Sequence, residues 1–189
     1  MNRILTIAVI LLTALTAKAQ TVEVLIGEQQ KLFLEKTAFT QNSVTFAYLE
    51  ATYNGGAMVK LFREQKFWEA PAYIHAEYQS TFDGSHTAIL GGAYAFNLPH
   101  GSITLCPLAR YDFGIDKWAA QASQVYFFDW KWFELYGYNH FWYNGSPCFF
   151  GEERAHLKLG EHLRLGLILD LTYFGEFHAT PMFGIRWDI

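Results

Sequence analysis

Residues 162–174 read HLRLGLILDLTYF. Leu163, Leu165, Leu167, Leu169, Leu171 and Tyr173 fall at every second position, with Arg164, Gly166, Ile168, Asp170 and Thr172 between them. Successive side chains of an extended strand point to opposite faces, so this period of two predicts a strand with one oily face and one face carrying an arginine and an aspartate. Its length, Leu163–Tyr173, is that of a tilted strand crossing a bilayer, about 9–11 residues. A soluble sandwich would also bury such a leucine face, so the neighbouring segments decide.

They repeat the pattern. In 71–80, Ala72, Ile74, Ala76 and Tyr78 oppose Tyr73, His75, Glu77 and Gln79; in 133–142, Phe133, Leu135, Gly137, Asn139 and Phe141 oppose Glu134, Tyr136, Tyr138, His140 and Trp142. In 177–188 the apolar set is Phe177, Ala179, Pro181, Phe183, Ile185 and Trp187, opposite His178, Thr180, Met182, Gly184 and Arg186. Turn signals such as Asn54-Gly55-Gly56, Asp83-Gly84-Ser85, Asn144-Gly145-Ser146 and Phe174-Gly175 separate the segments. They predict strands over 43–53, 57–66, 71–81, 86–97, 101–111, 117–128, 131–142, 148–159, 162–173 and 176–188. The segment 21–39 reads as one strand or as a hairpin turning at Gly27-Glu28. The hairpin gives twelve strands, the even number expected of a single-chain outer-membrane barrel, with ten as the other possibility.

Aromatic residues gather near strand ends. One end holds Phe67, Trp68, Phe96, Phe128, Trp130, Trp132 and Trp187; the other holds Tyr53, Phe82, Tyr111, Phe113, Trp118, Trp142, Tyr143, Phe149, Tyr173 and Phe174. Two aromatic girdles flanking an apolar band mark a membrane barrel, because amphipathic rings settle at the lipid–water boundary. The expected fold is all-β: an antiparallel transmembrane β-barrel with short turns on both sides. Aromatics filling a soluble core, and a lipocalin-like periplasmic binding barrel with its leucines turned inward, are the competing arrangements.

The chain has 189 residues, 17% of them charged, against about 25% in soluble domains. The body contains no helix-length apolar run. The start is different: basic Arg3, apolar Ile4–Leu15 and the small-x-small Ala17-Lys18-Ala19 form a secretory signal peptide over 1–19, leaving a barrel over 20–189. Two of the 14 basic residues lie in that leader, so the remainder, which keeps all 18 acidic ones, is more acidic than the net −4 of the whole chain. An acidic protein without a basic stripe is a poor nucleic-acid binder. Cys106 and Cys148 lie in no motif and are expected to be free or paired only by chance of geometry.

The runs Val44–Tyr53, Lys60–Trp68 (KLFREQKFW), Ala70–Tyr78 (APAYIHAEY), 149–157 (FFGEERAHL) and 177–187 (FHATPMFGIRW) resemble a family of small bacterial outer-membrane barrels without an assigned activity. That family is similar to the nucleoside-specific channel-forming proteins of the Tsx-like superfamily. The resemblance covers most of the chain after residue 19 and implies a twelve-stranded barrel with a narrow, polar bore and a nucleoside-like solute. Residues 21–39 are compressed where the family has a first hairpin. The chain ends Trp187-Asp188-Ile189, where such barrels usually end on an aromatic residue read by the assembly machinery.

With oily faces outward, the polar faces line the bore. The lumen acids are Glu50, Glu77, Glu134, Glu152 and Asp170. The bases are Lys60, Arg110, Arg154, Arg164 and Arg186, joined by His75, His140, His156 and His178. Near-equal numbers of both signs predict cross-strand pairing, because an isolated buried ion costs several kcal/mol. A polar neutral or zwitterionic solute suits such a bore, and Tyr48, Tyr73, Tyr136, Tyr138 and Trp142 offer rings for stacking. Twelve strands lie between the filled eight and the open sixteen to eighteen, so a plugged, non-conducting barrel is the alternative.

The expected partners are outer-membrane lipid, a small polar solute and the barrel-assembly machinery, with no cofactor and no nucleic acid. A lipid-modifying enzyme would need its groups at His100-Gly101-Ser102 or Ser85-His86, which read as polar turns, or at the pair His75 and Glu77. No catalytic set is assigned, and the histidines lack metal-ligand spacing.

Overall fold

The computed structural model describes residues 20–27, 30–39, 43–52, 57–67, 71–81 and 84–189. They form twelve strands: β1 (Thr21–Gly27), β2 (Lys31–Phe39), β3 (Ser43–Thr52), β4 (Ala57–Phe67), β5 (Ala72–Thr81), β6 (His86–Leu98), β7 (Gly101–Asp112), β8 (Lys117–Asp129), β9 (Phe133–Tyr143), β10 (Pro147–Lys158), β11 (Leu163–Tyr173) and β12 (Phe177–Asp188). Each pairs antiparallel with its sequence neighbours, and β1 pairs with β12 from Thr21↔Asp188 to Gly27↔Met182, closing the barrel. The segment 21–39 is therefore a hairpin, and the count is twelve. The predicted leader lies outside the described residues.

From β6 onward the connections run from two residues to four. Gly145 and Gly175 hold φ of 110° and 96°, backbone that an L side chain rarely adopts, which is why tight turns recur at those dipeptides. Turns at 99–100, 130–132 and 159–162 share one end of the barrel with Gln20 and Ile189, here called the terminal end; those at 113–116, 144–146 and 174–176 lie at the far end.

The opening stretch now has its answer. Leu167 is 56% exposed and Ile168 is 1% exposed. The leucines, with Phe183, Ile185 and Trp187 beside them, form an oily outer wall, and Arg164, Ile168 and Asp170 point inward. This is the reverse of a lipocalin-like arrangement. Among the described residues, no helix is long and apolar enough to cross a membrane. Closure gives every central strand two hydrogen-bonded neighbours, the condition for exposing a sheet to hydrocarbon.

One girdle placement differs from the sequence reading. Trp142 is not a girdle residue: its ring points inward beneath Arg110, whose guanidinium carbon sits 4.7 Å from the ring centroid. A residue one place from a strand end can face either way, and here the register with Gln121 and Cys148 turns it in. Of the other predicted girdle residues, Tyr53, Trp68, Phe82 and the side chain of Phe67 lie outside the described residues. Glu153 faces outward, at mid-strand, where it accepts bonds from Asn139 (2.9 Å) and the Tyr126 hydroxyl. The side chains of Tyr126 and Glu153 fold over Gly137, where a Cβ would collide with Glu153 Oε2. The polar atoms thus satisfy one another on an otherwise oily wall.

Candidate functional site: the interior of the barrel

Inward-facing residues follow from register. Glu152 lies opposite Tyr138 on β9 and Asp170 on β11, and His156 opposite Glu134. Alternation then carries Arg154, Tyr136 and His140 to the same side. Of the predicted lumen residues, Glu50, Lys60, His75, Glu77, Arg110, Glu134, Tyr136, Tyr138, His140, Glu152, Arg154, His156, Arg164, Asp170 and Arg186 all face inward. His178 does not join them. It sits at the far-end rim, its side chain 64% exposed and 3.9 Å from Glu176, because it lies one residue into β12 and beyond the packed interior.

The interior ions form three groups. At the seam, Arg154 bridges Glu23 and Glu152, and His156 Nε2 lies 2.7 Å from Glu23. Glu134 extends this group, 3.0 Å from Arg164 and 3.4 Å from Arg186, and Asp188 pairs with both arginines. Higher in the bore, Lys31 lies 3.1 Å from Glu50 and 2.5 Å from Asp170. Across it, Lys60 is 2.8 Å from Glu77, and His75 sits between Glu77 (3.0 Å) and Glu64 (3.2 Å). Aromatic faces cover several cations: Arg154 lies over Phe33 at 4.3 Å and Lys60 over Tyr138 at 5.0 Å. Such pairing offsets the cost of taking charges out of water.

Sequence reasoning missed Glu23, Lys31, Glu35 and Glu64. The first three lie in the segment whose strands were not resolved, so their faces were not assigned. The alternation Lys31, Phe33, Glu35 would have placed them once the hairpin was drawn.

The remaining wall is different. On β6–β8 the inward residues include the buried Ile89, Ala93, Cys106 and Leu108, packed with Tyr73. Below them Val125 and Phe127 point inward, yet are 41% and 43% exposed, because they border an open cavity. That cavity has a volume of about 470 Å³. It extends from Thr21, Glu35 and Phe127 near the terminal end up to Lys60, Glu77 and His140. Past that level the interior is packed: Thr87, Gln121, Trp142 and Cys148 are buried on one side, and Leu25, Lys31, Glu50, Ile168, Asp170 and Met182 on the other. The bore is thus a vestibule toward the terminal end beneath a filled far half.

The turn histidines are placed elsewhere. His100 lies at the terminal end with its ring beside Trp130, and His86 Nδ1 meets the Tyr78 hydroxyl at 3.0 Å on the outer side of β5–β6. Cys106 and Cys148 are free buried thiols, on β7 and β10. No group of three or more His, Cys, Asp or Glu suited to a metal ion occurs among the described residues.

This architecture is shared with known structures. The NanC porin superposes with a TM-score of 0.63 at 7% identity, covering 89% of this chain and 99% of that one. The KdgM porin gives 0.59 at 8% identity, covering 89% and 98%. A second KdgM structure, in complex with disordered oligogalacturonate, gives 0.59 at 7% identity. At such identity the likeness establishes the fold, that of small porins. No family model matches the chain, and no curated protein matches its sequence. None of these comparisons shows the nucleoside-channel link.

Proposed function

We propose that this chain is an outer-membrane channel that admits small polar solutes, exported by cleavage after residue 19. One observation carries the reading: an oily outer wall encloses a cavity of about 470 Å³ edged by paired ions. A polar barrel interior is either filled by its own side chains or open to water and solute, and the cavity favours the second.

The charge arrangement narrows the solute. Lys31, Lys60, Arg154, Arg164 and Arg186 are each matched by a carboxylate, so little uncompensated positive charge remains to gather an anionic polymer. A neutral or zwitterionic solute fits better, and a nucleoside-like one agrees with the sequence resemblance. A second reading, a barrel that does not conduct, is favoured by the packed far half.

Liposome swelling with the purified barrel decides between them. The channel reading expects swelling in glycerol, small sugars, amino acids or nucleosides at rates above protein-free vesicles. If all fail to permeate, transport is wrong. Recovery of the protein in the soluble periplasm would exclude the membrane barrel itself.

A further inference from the structure

The outer wall is uneven. On β11 and β12 it presents Leu165, Leu167, Phe183 and Ile185, all large and exposed. On β7 and β8 it presents a block of small residues instead: Pro107 stands opposite Ala122 and Ala109 opposite Ala120, all four exposed. The next outward residue of β8 is polar. Gln124 is exposed, opposite Leu105 on β7 and Asn139 on β9, and its neighbours Ser123 and Val125 line the cavity inside.

The polar residues beside Gln124 are already engaged. Asn139 donates to Glu153 (2.9 Å) and its Oδ1 lies over Gly151, and the Tyr126 hydroxyl takes the other carboxylate oxygen. The Gln124 amide has no hydrogen-bond partner among the described residues. It sits near the middle of the thirteen-residue β8, at the depth of the hydrocarbon centre. Headgroups there are about 15 Å away, and acyl chains offer neither donor nor acceptor. A polar group facing lipid at that depth calls for a protein partner.

We propose that the outer face of β7–β9 is a contact between two copies of this chain, with their Gln124 amides paired on the two-fold axis. Copies inserted in the same direction are related by an axis along the membrane normal, so a residue on that axis meets itself at its own depth. A primary amide carries both donor and acceptor, so two glutamines satisfy each other, which two leucines or two carboxylates cannot do. The small residues beside Gln124 let the two walls approach closely. Glu153 lies two strands from Gln124, at the rim of the contact, where the two like charges stay apart. The inference rests on the outer wall facing lipid and is independent of whether the bore conducts.

The test is resonance energy transfer between copies of the purified barrel in lipid vesicles. Donor or acceptor dye is attached at Ser146→Cys in the exposed far-end turn; Cys106 and Cys148 are buried. Transfer should exceed that of random mixing, persist on dilution with lipid, and vary linearly with acceptor fraction, as a dimer requires. Gln124→Leu should weaken association roughly tenfold, the worth of two hydrogen bonds between chains in a bilayer. Ala122→Trp should weaken it by bulk, and Leu167→Trp on the opposite wall should leave it unchanged. Gel mobility confirms that each variant is folded, and if Ala122→Trp does not fold, Gln124→Leu decides. Transfer at the random level, association indifferent to Gln124→Leu, equal weakening by Leu167→Trp, or a curved dependence on acceptor fraction would overturn the paired-amide contact.

Discussion

Arg154 is the side chain on which the seam of the barrel depends, and its removal gives the sharpest test of the interior electrostatics. Its guanidinium holds Glu23 of β1 and Glu152 of β10, 1% and 0% exposed, and lies over the rings of Phe33 and Tyr136. Arg154→Met keeps the apolar stem and leaves two carboxylates buried without their cation. Removing one partner of a buried ion pair costs about 3–5 kcal/mol, or roughly two to four orders of magnitude in the folding equilibrium. His156 still faces Glu23, which limits the loss there, but Glu152 has no second salt bridge among the described residues. The expected cost is therefore about 4 kcal/mol. Urea titration of the barrel in lipid vesicles, read by the gel mobility of the folded form, measures it as a lower midpoint at unchanged slope. Adding Glu152→Gln should recover a large part of the loss, because the orphaned charge is then gone. A loss below about 1 kcal/mol for Arg154→Met would refute the reasoning, since surface ion pairs are worth no more and the seam charges would then be hydrated.

Three further outcomes follow from the wall and its packing. Glu153→Gln should stay within about 1 kcal/mol of the parent in the same titration, because an amide oxygen still accepts from Tyr126 and Asn139, whereas Glu153→Leu should cost about 1–3 kcal/mol by leaving those donors unpaired. Gly91→Ala should cost about 1–3 kcal/mol or more, since its Cβ would collide with Pro107 O and meet Leu108 Cα at 2.9 Å, both backbone; Gly92→Ala, whose nearest neighbour is Tyr73 O at 4.0 Å, should stay within about 0.5 kcal/mol. Oxidant should produce no disulfide-dependent mobility shift on a non-reducing gel, because β8 and β9 separate Cys106 from Cys148, roughly 14 Å around the wall against the ~4–7 Å that a disulfide spans.

The fold was legible because its signal is repeated. A single strand such as Leu163–Tyr173 is ambiguous, but the same period of two between turn dipeptides, ten times over, admits few arrangements, and the observed strand limits agree closely with the predicted ones. Facing was legible wherever alternation was clean, which is why fifteen of the sixteen named lumen residues point inward. What was hidden has physical causes. Residues 21–39 carry Glu23, Lys31 and Glu35 at mixed polarity, so their faces could not be read before the hairpin was placed. His178 has the right parity but sits past the packed zone, a matter of depth that alternation does not encode. The partners of Glu23 lie 131 and 133 residues away, a consequence of closure that no local pattern contains. Val125 and Phe127 read as ordinary apolar residues, and only the cavity gives them a role.

The two halves of the interior wall do different work, and this separation is what makes the channel reading testable. The seam formed by β12, β1 and their neighbours concentrates the ion pairs that tie distant parts of the chain together: Glu23 with Arg154 and His156, Lys31 with Asp170, Arg186 with Glu134. Opposite it, β6–β8 contributes small or apolar side chains, and the cavity lies between the two. A wall that must hold closure by charge cannot also be emptied to make a passage, because removing either partner leaves an ion stranded. The cavity touches both walls, and only the β6–β8 wall can be trimmed without stranding an ion. It follows that substitutions at Val125 or Phe127 should alter permeation with little effect on folding, while substitutions at Glu23 or Arg154 should alter folding first. If enlarging the cavity by Phe127→Ala left swelling rates unchanged while Arg154→Met raised them without loss of stability, the passage would run along the charged seam, and the division of labour between the walls would be wrong.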